Sequence, residues 1–498
     1  MLVHELLMNG RDTDIAVIDR QKKYTYKELR QAVTIGRNNL YAAGVRRGSR
    51  VAIFSRKTVN YIVSYMAISS LGAIAVPINI QLSMREATYI LKDAGCTFLL
   101  TSRPFDWTKD ESTRNFADTL KQMDIEACST PATAPQAPLL PDYFKESEPY
   151  IIIYTSGTTG VPKGAVLTHK NVTCNAQQVQ DVLHITRQDN ILCILPMYHC
   201  FCLCTSIMNP LLAGASIILF DSYTLKDVVK CIREYKLTIV YLVPSICTIL
   251  LQTAEKKDLE TVRYTILGGT TLPLHIIELF EKKFGLPIIE GYGLSEASPV
   301  VSVNSPHNVK AGSIGLPLPG IKVRIVDDSG YDVPNGTTGQ LIVQGNNVMK
   351  GYWNMPGATS KTLRGGWLYT GDVAIRDEDG YLHIVDRIKE MIISMGENIY
   401  PREIEEVLYQ YPNIKEAAVI AISDAIRGQV GCCYYTTMDG NDISQRDLKK
   451  FLQKNLALFK IPRKFHKINE MPRIASGKIA KLALKDRYNR SCLQPYGK

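Results

Sequence analysis

Between Arg50 and Leu100 the chain alternates short apolar runs with amphipathic ones. The spacing predicts strands over 50–55, 73–76 and 97–100, and helices over 59–71 and 84–94. Strands separated by helices pair in parallel, and a parallel sheet needs helices on both faces. The same rhythm runs from 168 to 290, so the fold class expected is α/β. From 312 to 385 the pattern changes to short strands with Gly and Asp turns, such as Asp327-Asp328-Ser329-Gly330. That predicts a small antiparallel barrel or sheet. After about 389 a compact α+β segment follows, with helices over 401–410 and 444–456 and strands over 416–421 and 430–437. The expected organisation is a large N-terminal domain, 1–388, of parallel-rich sheets sandwiched with helices. It carries a barrel-like part at about 312–385, and a small C-terminal domain spans 389–498.

Composition narrows the function classes. Hydrophobic residues make up 45% and charged residues 21%, which excludes a disordered, collagen-like or coiled-coil chain. Twelve cysteines without any CxxC pair read as reduced thiols in a cytoplasmic protein, not as a disulfide scaffold. Residues 58–84 and 190–220 hold no charge and are long enough to span a bilayer. Pro77 breaks the first, and Pro196, Pro210 and Gly214 break the second. Both are expected to be buried elements or the wall of an apolar pocket, and no transmembrane segment is expected. Residues 444–498 carry a net +12, leaving −2 for the rest of the chain. A basic face of this kind suits a phosphate-rich ligand or peripheral contact with an anionic membrane. Nucleic acid is not expected, because few aromatic residues interleave the basic ones.

The strongest chemical signal is Tyr154-Thr155-Ser156-Gly157-Thr158-Thr159-Gly160-Val161-Pro162-Lys163-Gly164, directly after an apolar strand. Glycines let backbone approach a ligand closely, and the hydroxyls and lysine supply donors for phosphate oxygens. It is not a Walker loop, since Lys163 is followed by Gly164 instead of Ser or Thr. The segment resembles the phosphate-loop signature of the adenylate-forming superfamily, which includes acyl-CoA synthetases, luciferase-like enzymes and adenylation domains. The resemblance spans nearly the whole chain. Pro196-Met197-Tyr198-His199 resembles the aromatic motif beside the acyl pocket, and Gly268-Gly269-Thr270-Thr271 the adenine loop. Glu290-Gly291-Tyr292-Gly293-Leu294-Ser295-Glu296 resembles the acid-containing nucleotide motif. Trp367-Leu368-Tyr369-Thr370-Gly371-Asp372 resembles the ribose motif, and Asp386-Arg387-Ile388-Lys389-Glu390 the interdomain hinge. Pro472-Arg473-Ile474-Ala475-Ser476-Gly477-Lys478 resembles the catalytic-lysine loop.

The resemblance implies activation of a carboxylic acid by ATP and Mg²⁺, followed by transfer to CoA. Joining a carboxylate to a phosphate requires charge neutralisation at the reacting centre. Glu296, with Thr158, is the expected magnesium site, since that ion prefers oxygen ligands. Asp372 offers two acceptors to a ribose, and Arg387 is a second candidate for the same group. Lys478 presents a flexible ammonium to a bridging oxygen. His199 is expected to gate the acyl pocket or pack beside the acyl-adenylate. Lys389 is the implied pivot of a mobile C-terminal domain. Gly396 and Glu397 would then enter the site for the thioester step. The family often has Gly-Gly at 395–396, so Met395 departs from the pattern, as does Ile474 where the family usually has Thr.

Amino-acid-activating members of that superfamily resemble one another in an aspartate near the aromatic motif that holds the substrate ammonium; residues 191–220 contain no Asp or Glu, so the resemblance implies an apolar acid over an α-amino acid. The leading expectation is a medium- or long-chain fatty acid. The alternatives are an aryl or other apolar acid, or loading onto a carrier-protein phosphopantetheine. Cys200, Cys202 and Cys204 are expected to pack as small core residues on a pocket helix, with 200 and 204 sharing a face, in preference to a metal site with His199.

Overall fold

The computed structural model describes the chain apart from residues 104–119, 156–161, 221–224, 270–272, 396, 425, 475–477 and 494–498. The chain divides into two compact units. The first comprises Met1–Gly269, Phe280–Val323 and Val343–Tyr369; the second comprises Thr270–Leu279, Arg324–Ile342 and Thr370–Lys498.

The first unit holds two large sheets. In a seven-stranded sheet, Pro149–Thr155, Ile74–Pro77, Arg50–Phe54, Phe98–Thr101 and Lys121–Asp124 run parallel in that order. Lys163–Thr168 and then Gly351–Tyr352 add to its edge in antiparallel fashion. The helices fall at Val59–Ser70 and Met84–Asp93. Met84–Asp93 starts where Ser83 and Glu86 satisfy one another's backbone N–H groups, a reciprocal cap. Every residue of Val59–Ser70 is buried, which accounts for the uncharged stretch around it.

A nine-stranded sheet contains six parallel strands in the order Ile288–Gly293, Tyr264–Leu267, Ile239–Leu242, Asn190–Cys193, Ser216–Leu219 and Ile15–Asp19. Three of the sequence motifs lie at the carboxyl ends of these strands: 196–199 after Asn190–Cys193, 268–271 after Tyr264–Leu267, and 290–296 at the end of Ile288–Gly293. In open α/β sheets that end is where ligands bind. The second uncharged stretch resolves into two strands of this sheet joined by helical turns from Cys200 to Ala213. No helix among the described residues is long and apolar enough to cross a membrane.

The region expected to form a small barrel or sheet supplies a five-stranded sheet from Lys322–Val326, Gly339–Gln344, Trp367–Arg376, Leu363–Arg364 and Leu382–Arg387. In the second unit, the long hairpin Ile414–Asp424 and Gly428–Thr437 anchors another five-stranded sheet. Strand alternation sends Ala417, Val419, Cys433 and Tyr435 to one face, onto Ile404, Leu408, Leu448 and Leu452. Ala418, Ile420, Cys432 and Tyr434 face the other way, onto Met471 and Leu484.

Candidate active site

In the first unit, the strands on either side of the phosphate-loop segment pair antiparallel, Thr155 with Lys163 and Tyr154 with Gly164. Ser156, Gly157, Thr158, Thr159 and Gly160 lie outside the described residues. Gly164 has a packing reason to be glycine, since a Cβ there would stand 2.6 Å from Ile152 Cγ2. The Gly351–Tyr352 strand joins this hairpin with Tyr352 opposite Ala165, and Trp353 donates its N–H to the Gly164 carbonyl at 2.7 Å. Tyr352 thereby lies beside Lys163, whose Nζ is 5.2 Å from the ring centroid. The Tyr352 hydroxyl donates to Glu296 Oε1 at 2.7 Å. Burial, and then the nearby Glu296 charge, push the Tyr352 phenol well above its usual value, so it stays a donor. A cation, a phenol and a carboxylate are thus gathered where the loop leaves the sheet.

Glu296 stands in a 3₁₀ turn, Ser295–Ala297, and its carbonyl accepts the Met349 N–H at 2.8 Å. Ser295 Oγ lies 3.1 Å from Cys200 Sγ, which ties this turn to the aromatic motif. Gly291, Tyr292 and Gly293 are strand residues paired with Val300–Val303. A Cβ on Gly293 would fall 2.0 Å from the Pro299 carbonyl oxygen, so the partner backbone demands glycine there. Glu290 is buried, and its Oε2 accepts the Gly312 N–H at 2.8 Å, so this carboxylate holds the 310–313 loop.

His199 is the N-cap of a short helical turn, with Nδ1 accepting the Phe201 N–H at 3.2 Å. A π-helical stretch, Leu203–Met208, follows and widens the spacing. Cys204 Sγ donates to Asn175 Oδ1 at 3.4 Å, and Cys202 Sγ meets Cys193 Sγ at 3.5 Å. No group of three or more His, Cys, Asp or Glu suited to a metal ion occurs among the described residues. The Phe201 ring lies against Gly268, where a Cβ would be 2.6 Å from it. Gly269 takes φ +83°, a conformation open to glycine, and Thr270 and Thr271 lie outside the described residues.

In the second unit, Asp372 and Arg387 are cross-strand neighbours, with Arg387 Nε 2.9 Å from Asp372 Oδ1. The fifteen-residue spacing is therefore a hairpin register. Asp372 is buried and its N–H donates to Thr370 Oγ1 at 3.1 Å. Lys389 is exposed in a tight turn, where Glu390 and Met391 both donate N–H to the Arg387 carbonyl. Met395 adopts φ +53°, the left-handed conformation for which the family pattern supplies glycine. Glu397 is exposed opposite Ser394, and Gly396 lies outside the described residues. The Lys478 carbonyl accepts the Ile474 N–H, closing a loop whose ends bridge at Arg473 and Ile479.

Two residues that the sequence did not single out bear on this chemistry. Tyr352 reaches Glu296 across 56 positions, and only the adjacent Gly-Tyr-Trp hinted at a buried aromatic. Lys481 pairs with Glu390 at 3.2 Å and Glu405 at 2.9 Å, linking the lysine loop to the hinge motif.

In an α/β fold, a cation, a phenol and an oriented carboxylate gathered at the edge of a sheet suit a phosphate-bearing ligand. Residues 8–353 match the AMP-binding enzyme family, and residues 403–478 match the AMP-binding enzyme C-terminal domain. A feruloyl-CoA synthase from Amycolatopsis sp. is 35% identical over 474 residues, 93% of this chain and 94% of that protein. A 2-succinylbenzoate–CoA ligase from Geobacillus sp. (strain WCH70) is 34% identical over 95% of this chain and 94% of its own. The crystal structure of ATP-bound MatB from Rhodopseudomonas palustris superposes with a TM-score of 0.90 at 29% identity, over 98% of this chain and 99% of that one. The o-succinylbenzoate CoA synthetase from Bacillus subtilis, in complex with its acyl-adenylate OSB-AMP, gives 0.89 at 31%, over 97% and 98%. The chain belongs to the AMP-binding enzyme family.

Proposed function

We propose that this protein is an AMP-forming acid–CoA ligase acting on an aromatic acid. The observation that carries the reading is the Lys163–Tyr352–Glu296 group at the base of the phosphate loop. Lys163 neutralises polyphosphate charge, and Tyr352 fixes one oxygen of Glu296 so that the carboxylate presents a set direction. Glu296 is an all-oxygen donor that fits Mg²⁺, with Thr158 as a second ligand. Bound there, the ion would neutralise charge as pyrophosphate departs. Asp372 and Arg387 are assigned the ribose, Lys478 the acyl-phosphate bond, and Gly396 and Glu397 the thioester step, with Lys389 as pivot between the two half-reactions. The remaining nucleotide contacts are assigned to Thr155, Gly269, Thr270, Thr271 and Ser295.

The acid is where the reading departs from the fatty-acid expectation. The relatives are named for feruloyl and succinylbenzoate substrates, both aromatic and both bearing further oxygen groups. Around the aromatic motif this chain also presents rings, with Phe201 edge-on to Tyr241 at 5.8 Å.

Pyrophosphate release with ATP–Mg²⁺ and CoA, across acids from acetate to palmitate plus aryl and amino acids, tests this. CoA-dependent turnover is expected to be fastest on aryl acids. Turnover confined to C8–C18 alkanoates would restore the fatty-acid reading, and pyrophosphate without a CoA thioester would point to a carrier-protein thiol.

A further inference from the structure

Tyr241 lies on the Ile239–Leu242 strand and is 0% exposed, yet its hydroxyl has no hydrogen-bond partner among the described residues. A buried hydroxyl without a partner is destabilising, and phenylalanine would fill the same space without that penalty. A polar group entering beside Tyr241 would supply the missing partner.

The surroundings say what enters. The Tyr241 ring meets Phe201 at 5.8 Å between centroids and 82° between planes, an edge-to-face contact. Phe201 follows directly on the His199 cap, is only partly buried, and covers Gly268 at the start of the Gly-Gly-Thr-Thr loop. Phe201 thus touches Gly268, at the start of the nucleotide motif, and the ring of Tyr241. The thiol beside it is already engaged, because Cys204 donates to Asn175. Burial keeps the phenol protonated, so its oxygen both donates and accepts.

Resting on the aromatic-acid reading above, we infer that Tyr241 is a specificity-determining residue: it hydrogen-bonds an oxygen-bearing substituent at the far end of the substrate ring. The acids favoured would be aryl acids carrying a ring hydroxyl or second carboxylate remote from the group being activated, over the bare ring.

The test compares kcat/KM for 3-phenylpropenoic acid with its 4-hydroxy and 4-carboxy derivatives, in wild type and Tyr241→Phe. Wild type is expected to favour at least one substituted acid about tenfold, the value of one hydrogen bond, and Tyr241→Phe to bring that ratio close to one. The variant should melt at or above the wild-type temperature, since no protein partner is lost. An unchanged ratio in the variant would overturn the proposal, as would a wild type indifferent to the substituents; both leave the aromatic-acid reading standing. A melting-point drop with all three acids slowed equally would make Tyr241 a packing residue and overturn it too. Wild type inert toward all three acids yet active on alkanoates would remove the aromatic-acid reading, and this inference with it.

Discussion

Replacing Lys481 by Met should loosen the second unit from within. The Lys481 side chain is 21% exposed, and its partners Glu390 and Glu405 are 33% and 14% exposed. Breaking a buried ion pair by removing one partner costs about 3–5 kcal/mol, because a charge is left uncompensated. Glu390, a third exposed, regains water. Glu405 does not, since its Oε1 is held by the Val419 N–H at 2.7 Å. The lower end of the range applies, about 3 kcal/mol, or roughly a hundredfold in the local opening constant. Burial alone would lower the lysine's pKa, but Glu405, Glu390 and Asp386 together raise it. Its contribution is therefore fully present below the unfolded value near 10.4 and lost as pH rises through the higher folded value, so neutral pH reads the whole effect. A two-unit chain need not unfold in one step, so the measurement is peptide-resolved hydrogen exchange over Ile414–Asp424. Lys481→Met/Glu405→Gln should recover more than half the loss, because Gln keeps the acceptor for Val419 without the orphan charge. Unchanged protection in the single variant, or a double variant no better than the single, would refute the reasoning.

His169 is fully buried, accepts the Val3 N–H at Nδ1, and is held by burial down to about 3. Its folded value lies below the unfolded 6.5, so acid protonates the unfolded chain first, and stability falls by about 1.4 kcal/mol per pH unit below pH 6.5 until near pH 3. His169→Asn should remove that slope from urea midpoints taken between pH 6 and 4.5; an identical slope would contradict it. Tyr352→Phe, which frees Glu296 Oε1, should weaken the apparent Mg²⁺ dependence about tenfold with little change in melting, and an unaltered Mg²⁺ titration would count against the orienting role. Lys478→Ala should lower adenylate formation by at least about a hundredfold while sparing thioester formation from supplied acyl-adenylate, and equal loss of both would defeat the assignment.

The layered α/β plan was legible because it rests on local signals. Alternating apolar runs place most elements to within a residue or two, although the strand expected over 416–421 extends over Ile414–Asp424. Motifs at strand ends were legible for the same reason, being contiguous. What the sequence concealed depends on contacts between distant segments. Tyr352 meets Glu296 only because a two-residue strand docks on the phosphate-loop hairpin. Glu290 also accepts the N–H of Gly312, 22 positions away, a contact no local pattern shows. Cys200 and Cys204 meet Ser295 and Asn175, partners that only the folded chain brings near them. Met395 was visible as a departure from a pattern, and its left-handed backbone supplies the reason the pattern exists.

The cap made by His199 fixes more than the start of a helix. The Nδ1 lone pair is occupied by the Phe201 N–H, so turning the ring would uncap the turn that carries Phe201. The Phe201 ring in turn lies against Gly268, at the start of the Gly-Gly-Thr-Thr segment. The aromatic motif and the glycine motif are thus coupled through a single backbone N–H.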